Sequence, residues 1–158
     1  MVLISTGASI GFVTRILPDG WIDPVFGING FYLEFGMETG VTAVGVDPSG
    51  RIWLLGRLLA DGTGWWIFQL LDTGGNPTDN RALTFPGYGF ETTIPTAMAF
   101  QPDGNVLLGG WGKTGSPDFF ASMAIARILG SSLNLDPTFG GGGTGELVIT
   151  DFESAYLR

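Results

Sequence analysis

Apolar runs of four to six residues recur along the chain between clusters of Gly, Pro, Asp and Ser, and no segment carries the three-to-four spacing of a long amphipathic helix. VTAVGVDPSGRIWLLGR (Val41 to Arg57) consists of one apolar run, a turn and a second run. PTAMAFQPDGNVLLGGW (Pro95 to Trp111) repeats it, with Asp47-Pro48-Ser49-Gly50 answered by Gln101-Pro102-Asp103-Gly104, 54 positions later. Pro in the second place of these tetrads presets its own φ, and Gly in the fourth tolerates the exit geometry of a type I turn, so each segment predicts a β-hairpin.

A second landmark precedes or follows each hairpin: GFVTRILPDG from Gly11, WIFQLLDTGG from Trp66 and MAIARILGSS from Met123, which align Arg15 with Gln69 and Arg127. The first and third copies continue as WIDPVFG (Trp21 to Gly27) and NLDPTFG (Asn134 to Gly140). Each copy then reaches a further apolar strand, FYLEF from Phe31, RALTF from Arg81 and ELVIT from Glu146. Four short strands per unit of about 54 residues, with turn chemistry between them, predict an all-β fold of the β-propeller type. The expectation is a single domain, 1–158, of about three four-stranded antiparallel blades, with repeats at 12–65, 66–122 and 123–158 plus 1–11.

The register of the repeats predicts how the blades close. MVLISTG, which contains Val2, Leu3 and Ile4, aligns with the second hairpin strands RIWLLGR and NVLLGGW, whereas SAYLR, which contains Ala155, Tyr156 and Leu157, aligns with the first hairpin strand TAVGV. The first and last strands are therefore expected to complete one shared blade. An unpaired strand edge exposes backbone donors and acceptors, and pairing the two ends would remove it. Propellers typically have four to eight blades, so three are too few for a ring. Two chains exchanging strands would give a six-bladed ring of C2 symmetry, which makes a homodimer the favoured partner arrangement. The alternative is that the chain is a piece of a larger propeller.

The runs RILPDG…DPVFG (Arg15 to Gly27), RILGSSLNLDPTFGGGG (Arg127 to Gly143) and FQPDGNVLLGG (Phe100 to Gly110) resemble the delta-60 repeat family, bacterial β-propeller-like repeats, over nearly the whole chain. The second unit departs from the pattern, with LLDTGGNPTDN (Leu70 to Asn80) where the others carry Asp-Pro-x-Phe-Gly. The resemblance implies a propeller fold and a setting outside the cell or on the surface of a bacterium. It brings no catalytic residues with it.

Composition narrows the chemistry. The 158 residues include 27 glycines, no cysteine and no histidine, which excludes disulfides, Cys/His zinc sites, Ser-His-Asp triads and Cys-His dyads. Seven basic against 15 acidic residues, a net charge of -8, argue against nucleic acid or anionic lipid as partner. No run approaches the ~18 apolar residues of a membrane-spanning helix, and no Lys/Arg-bearing segment precedes the first apolar run as in a signal peptide. Charged residues make up only 14% of the chain and its mean hydropathy is positive, which points to surface covered by partner subunits.

Five tryptophans are the most suggestive candidates for binding, because exposed aromatic rims stack on sugar rings. Trp53 lies mid-strand and is expected in the core, and alternation should turn one of Trp65 and Trp66 inward and the other outward. Trp21 and Trp111 fall at loop edges. The connections Arg57 to Gly64 and Trp111 to Phe119 differ most among the copies and would form a binding face, to which Asp61 and Asp118 belong. Asp19, Asp47, Asp72 and Asp103 stand beside Gly or Pro as turn residues, and Asp23 and Asp136 occupy repeat positions. Glu34, Glu38, Asp61, Glu91, Asp118, Glu146 and Glu153 have no repeat register that would pair carboxylates for glycosidase chemistry. FGGGGTGE (Phe139 to Glu146) lacks the Lys-Ser/Thr of a phosphate loop and the spaced Asp of a calcium repeat. The sequence reading is a non-catalytic scaffold or interaction module without metal or cofactor. A lectin-like propeller using Trp21, Trp65 and Trp111, with Asp61 and Asp118, is the alternative, and a glycan or a protein is the candidate ligand.

Overall fold

A computed structural model describes residues 1–6, 11–34, 40–60, 63–114 and 121–150. Among them every regular element is a β-strand: β1 (Val2–Thr6), β2 (Gly11–Arg15), β3 (Phe31–Glu34), β4 (Val41–Val46), β5 (Ile52–Ala60), β6 (Thr63–Leu71), β7 (Pro77–Leu83), β8 (Phe90–Phe100), β9 (Val106–Thr114), β10 (Ala121–Ile128) and β11 (Glu146–Ile149). The strands form three antiparallel sheets ordered β1-β2-β3, β4-β5-β6-β7 and β8-β9-β10-β11, so each sheet is a meander that follows chain order. Among the described residues no helix is long and apolar enough to cross a membrane.

Both expected hairpins form. β4 and β5 meet through Val46↔Ile52, β8 and β9 through Phe100↔Val106, and the fourth turn residues, Gly50 and Gly104, take φ of +88° and +85°. Positive φ is cheap for glycine alone, which is why both tetrads end in it. A sheet gathers strands from two of the sequence repeats: β2 and β3 follow β1 in the first sheet, and β6 and β7 extend the β4–β5 hairpin in the second. β1 is an edge strand. Its pairing with β2 runs from Val2↔Arg15 to Thr6↔Gly11, which puts Val2, Leu3 and Ile4 on the sheet border expected for the closing strand. Ala155, Tyr156 and Leu157, their expected counterparts, lie outside the described residues.

Two cores lie between the sheets. The first contains Val13 and Phe26 from the first sheet with Val41, Ile52, Leu54 and Leu71 from the second. The other contains Trp53, Leu55, Trp66, Phe68 and Leu70 of the second sheet with Val106, Leu108, Ala124, Ala126 and Ile128 of the third. Alternation along β5 and β6 therefore sends successive residues into opposite cores, so the middle sheet is buried on both faces. Trp53 stacks on Phe68 at 5.1 Å between ring centroids, and Trp66 meets Phe85 edge-on at 4.7 Å. Trp53 is in the core, as expected, and Trp66 turns inward while Trp65 remains half-buried.

The structure moves three details of the sequence reading. Gln69 is not the counterpart of Arg15 and Arg127: it lies between Phe68 and Leu70, which face the third sheet, so alternation along β6 turns it toward the first sheet, where its Oε1 accepts the Tyr32 hydroxyl at 2.9 Å. Arg57 to Gly64 is mostly strand, because β5 and β6 pair out to Ala60↔Thr63. Trp111 sits inside β9 between Ile94 and Met123, since the β9–β10 ladder continues to Lys113↔Ala121. The extra length in these two copies extends hairpins. Asp61 and Asp118 lie outside the described residues.

Candidate functional site

The Asp-Pro-x-Phe-Gly runs build the same latch twice. In the first sheet the Asp23 carboxylate accepts Arg15 Nε at 2.8 Å and the Val25 amide at 3.1 Å, while the Phe26 amide donates to Asp23 O at 3.2 Å and the guanidinium lies 5.4 Å above the Phe26 ring. In the third, Asp136 accepts Arg127 Nε at 2.7 Å and the Thr138 amide at 2.9 Å, the Phe139 amide donates to Asp136 O at 3.0 Å, and Arg127 covers Phe139 at 5.0 Å. The Asp23 pKa is held below the usual carboxylate range first by the Arg15 side chain, and that of Asp136 first by the Thr138 hydroxyl. These acids are turn anchors, with their lone pairs already spent on neighbouring donors.

Asp47 anchors the hairpin of the middle sheet in a comparable way. Its carboxylate accepts the Ser49 amide and hydroxyl, the Arg51 amide, Arg51 Nε at 2.6 Å and the Trp53 indole N–H at 3.0 Å. Burial would raise its pKa, yet these five donors outweigh burial and lower it to about 2. Gln101 holds the equivalent place in the third sheet, and its Oε1 is buried with no hydrogen-bond partner. Asp72 accepts the Gly74 and Asn76 amides and the Asn76 side chain.

Arginines also bridge the gaps between sheets. Arg15 donates Nη1 to the Thr73 carbonyl in the β6–β7 turn, beside a backbone bond of 2.7 Å from the Gly27 amide to Gly74 O. Arg51 reaches from the second sheet to Gly130 O of the third at 3.0 Å. Glu146 differs from every other described acid: it is 3% exposed, its Oε2 has no partner, and burial pushes its pKa up. Among the described residues no group of three or more metal-ligating side chains exists.

What the described surface offers instead is apolar area. The loop from β2 to β3 exposes Trp21 (76%), Val25 (76%) and Ile28 (81%). The third sheet folds the same loop around the same latch with Asn134, Thr138 and Gly141 in those places, so the backbone does not require the three apolar side chains. Ile28 borders a concavity of about 650 Å³ lined by Phe12, Phe31, Tyr32 and Leu33 on one side and Asn76 and Pro77 on the other. A second concavity of about 210 Å³ lies between the two hairpin turns, bounded by Asp47, Arg51, Asp103 and Asn105.

The two outer sheet faces are apolar as well. Across the third sheet, Ile94, Trp111, Met123 and Ile149 are successive cross-strand neighbours, with Trp111, Met123 and Ile149 exposed to 36, 41 and 38%. On the outward face of the first sheet, Phe12 pairs with Leu33 and Thr14 with Phe31, and Phe12, Leu33 and Phe31 are exposed. Contiguous apolar faces of this kind are uncommon on ordinary solvent-facing sheet. Of the sequence candidates, Trp21 stands free on a loop, Trp65 pairs with Leu58 within the β5–β6 hairpin, and Trp111 belongs to the third sheet's open face. The structure does not bring the three tryptophans into one site. The open sheet faces were not legible from the repeats, because alternation shows that a strand has two faces and not which neighbour covers each.

Comparisons of the chain with protein-family models, with curated proteins and with solved structures gave no match.

Proposed function

We propose that the chain is a non-catalytic segment of a β-propeller that acts as a structural or interaction scaffold and closes into a ring of six sheets by pairing with a second copy. The carrying observation is the contrast between the middle sheet, buried on both faces, and the first and third sheets, each with one open apolar face. Three further features support it: sheets that meander in chain order, first strands β4 and β8 that approach one another, and β1 as a sheet edge awaiting a partner. The resemblance of the Arg15–Gly27 and Arg127–Gly143 runs to delta-60 repeats agrees with this reading and favours an extracellular or surface setting in a bacterium. Averaged electron-microscope images of the purified chain test it. Six radial sheets around a centre are expected, and isolated open arcs of three would contradict the reading.

A second reading, carbohydrate binding by rim aromatics, is favoured by one observation. Trp21 stands almost free on a loop whose twin carries Asn134, and an exposed indole of this kind stacks well on a sugar ring. A glycan array probed with the parent chain and with Trp21→Ala decides it: glycan binding abolished by the substitution supports a lectin, and the absence of any bound glycan removes that reading.

A further inference from the structure

The contact between the first and second sheets has two halves. The receiving half is the Arg15–Asp23–Phe26 latch. The inserted half is the turn Thr73-Gly74-Gly75, whose Thr73 and Gly74 carbonyls accept Arg15 Nη1 and the Gly27 amide. Gly75 packs on Phe26 so closely that a Cβ there would lie 2.8 Å from the ring, and Phe26 is fully buried under it.

The third sheet carries the receiving half again. Arg127, Asp136 and Phe139 repeat the latch, and Gly140 repeats the close approach of Gly27 to the following strand: a Cβ on Gly27 would meet Phe31 O, and one on Gly140 would meet Glu146 O. Arg127 faces away from the second sheet, in line with Ile125 and Met123, whereas Ala124, Ala126 and Ile128 point into the core. Among the described residues no turn fills this second latch. No carbonyl takes the place on Arg127 that Thr73 O takes on Arg15, and Phe139 remains half-buried where Phe26 is covered.

The inserted half recurs on the first sheet. Leu17 O accepts the Gly20 amide at 3.0 Å as Asp72 O accepts that of Gly75 at 3.1 Å, and Gly20 and Gly75 take φ of +89° and +84°. Pro18, Asp19 and Gly20 are exposed, and a Cβ on Gly20 would meet nothing within 4 Å. Among the described residues there is thus an unfilled latch on the third sheet and an unused turn on the first, each next to an open apolar face.

We infer that the Arg127–Phe139 corner is a docking socket for the Pro18–Gly20 turn of a second copy of this chain. The inference rests on the two-chain closure proposed above and specifies its seam. Arg127 donates to the Pro18 carbonyl, Phe139 is covered by Gly20, and the row Ile94–Trp111–Met123–Ile149 packs on Phe12, Phe31 and Leu33 of the partner. Two-fold symmetry forms the seam twice, and each copy is receiver in one and donor in the other.

Because the chain has no cysteine, Asp19→Cys and Thr138→Cys chains mixed and treated with a short bismaleimide can be joined through these positions only between copies. Both sites are exposed, and Val25 fills the place of Thr138 in the first sheet, so the position tolerates change. The expected result is a covalent two-chain species from the mixture, linked through the two substituted positions, and none when Asp103→Cys, in another exposed turn, replaces Asp19→Cys. A two-chain assembly by mass that gives no such link overturns the socket and leaves two-chain closure standing. A monomer by mass overturns both.

Discussion

The indole N–H of Trp53 donates to the Asp47 carboxylate at 3.0 Å, tying one of the two fully buried tryptophans of the middle sheet to the turn that starts its strand. The same carboxylate holds Arg51, so one acid orders a turn, a core tryptophan and the arginine that crosses to the third sheet. Asp47→Ala leaves a buried indole N–H and the Arg51 guanidinium without their acceptor. The expected cost is about 2–3 kcal/mol. Urea unfolding followed by tryptophan fluorescence checks it, and Asp47→Asn, which keeps one acceptor oxygen, is expected to fall between parent and Ala.

Acid titration gives this anchor a second signature. The folded-state pKa of Asp47 is about 2 against an ordinary 3.8, so its contribution is present above the ordinary value and is lost as pH falls through about 2. Asp23, Asp72 and Asp136 are lowered too and act in the same direction. The parent should lose stability steeply between pH 4 and 2, and Asp47→Asn should show a shallower slope in unfolding curves over that window.

Glu146 predicts the opposite sign. Its pKa is raised by burial, so the stability associated with its protonated form is present below 4.5 and is lost as pH rises through the higher folded-state value. Glu146→Gln is expected to be more stable than the parent at neutral pH by about 1 kcal/mol, because a charge with an unpartnered oxygen is removed. The gain should vanish below pH 4.5. Thermal melts of both proteins across pH 4 to 8 check this.

Phe26 and Phe139 occupy matching places under unequal cover, which separates internal packing from assembly. Phe26→Ala empties a closed core and is expected to cost about 3–5 kcal/mol whatever the protein concentration. Phe139→Ala should cost little in chain folding and should shift the assembly toward monomer. Melting temperatures measured at several concentrations distinguish the two, because only a loss at a subunit contact depends on concentration.

Trp21→Asn copies the third sheet's residue into the first. Because Trp21 is 76% exposed and belongs to neither core, the folding free energy should stay within about 0.5 kcal/mol of the parent. Chemical denaturation checks that expectation, and a larger destabilisation would show that Trp21 holds the loop in place.

Much of this fold can be read from the chain because its turns use residues with few alternatives. Pro48, Gly50, Pro102 and Gly104 mark both hairpins, and the Asp-Pro-x-Phe-Gly runs mark both latches. Gln69 escapes the repeat alignment because the turns set another register: Gly75 answers Gly20, which puts Leu70 rather than Gln69 in the place of Arg15, and a one-residue slip turns every side chain to the opposite face. Trp111 and Gly112 read as the edge of a variable loop, yet they lie inside β9, whose glycines admit close neighbours such as the Phe90 ring beside Gly112. The socket is hidden for another reason. Phe26 and Phe139 sit in matching Asp-Pro-x-Phe-Gly runs, and the difference in what covers them is a property of tertiary packing.

The mass of the chain in solution at micromolar concentration, by sedimentation or native mass spectrometry, tests the central claim of two-chain closure most directly. Two-chain closure requires twice the 16.7 kDa of one chain, with dissociation on dilution tracking the exposure of Trp111 and Phe139. A single species of 16.7 kDa throughout would contradict it.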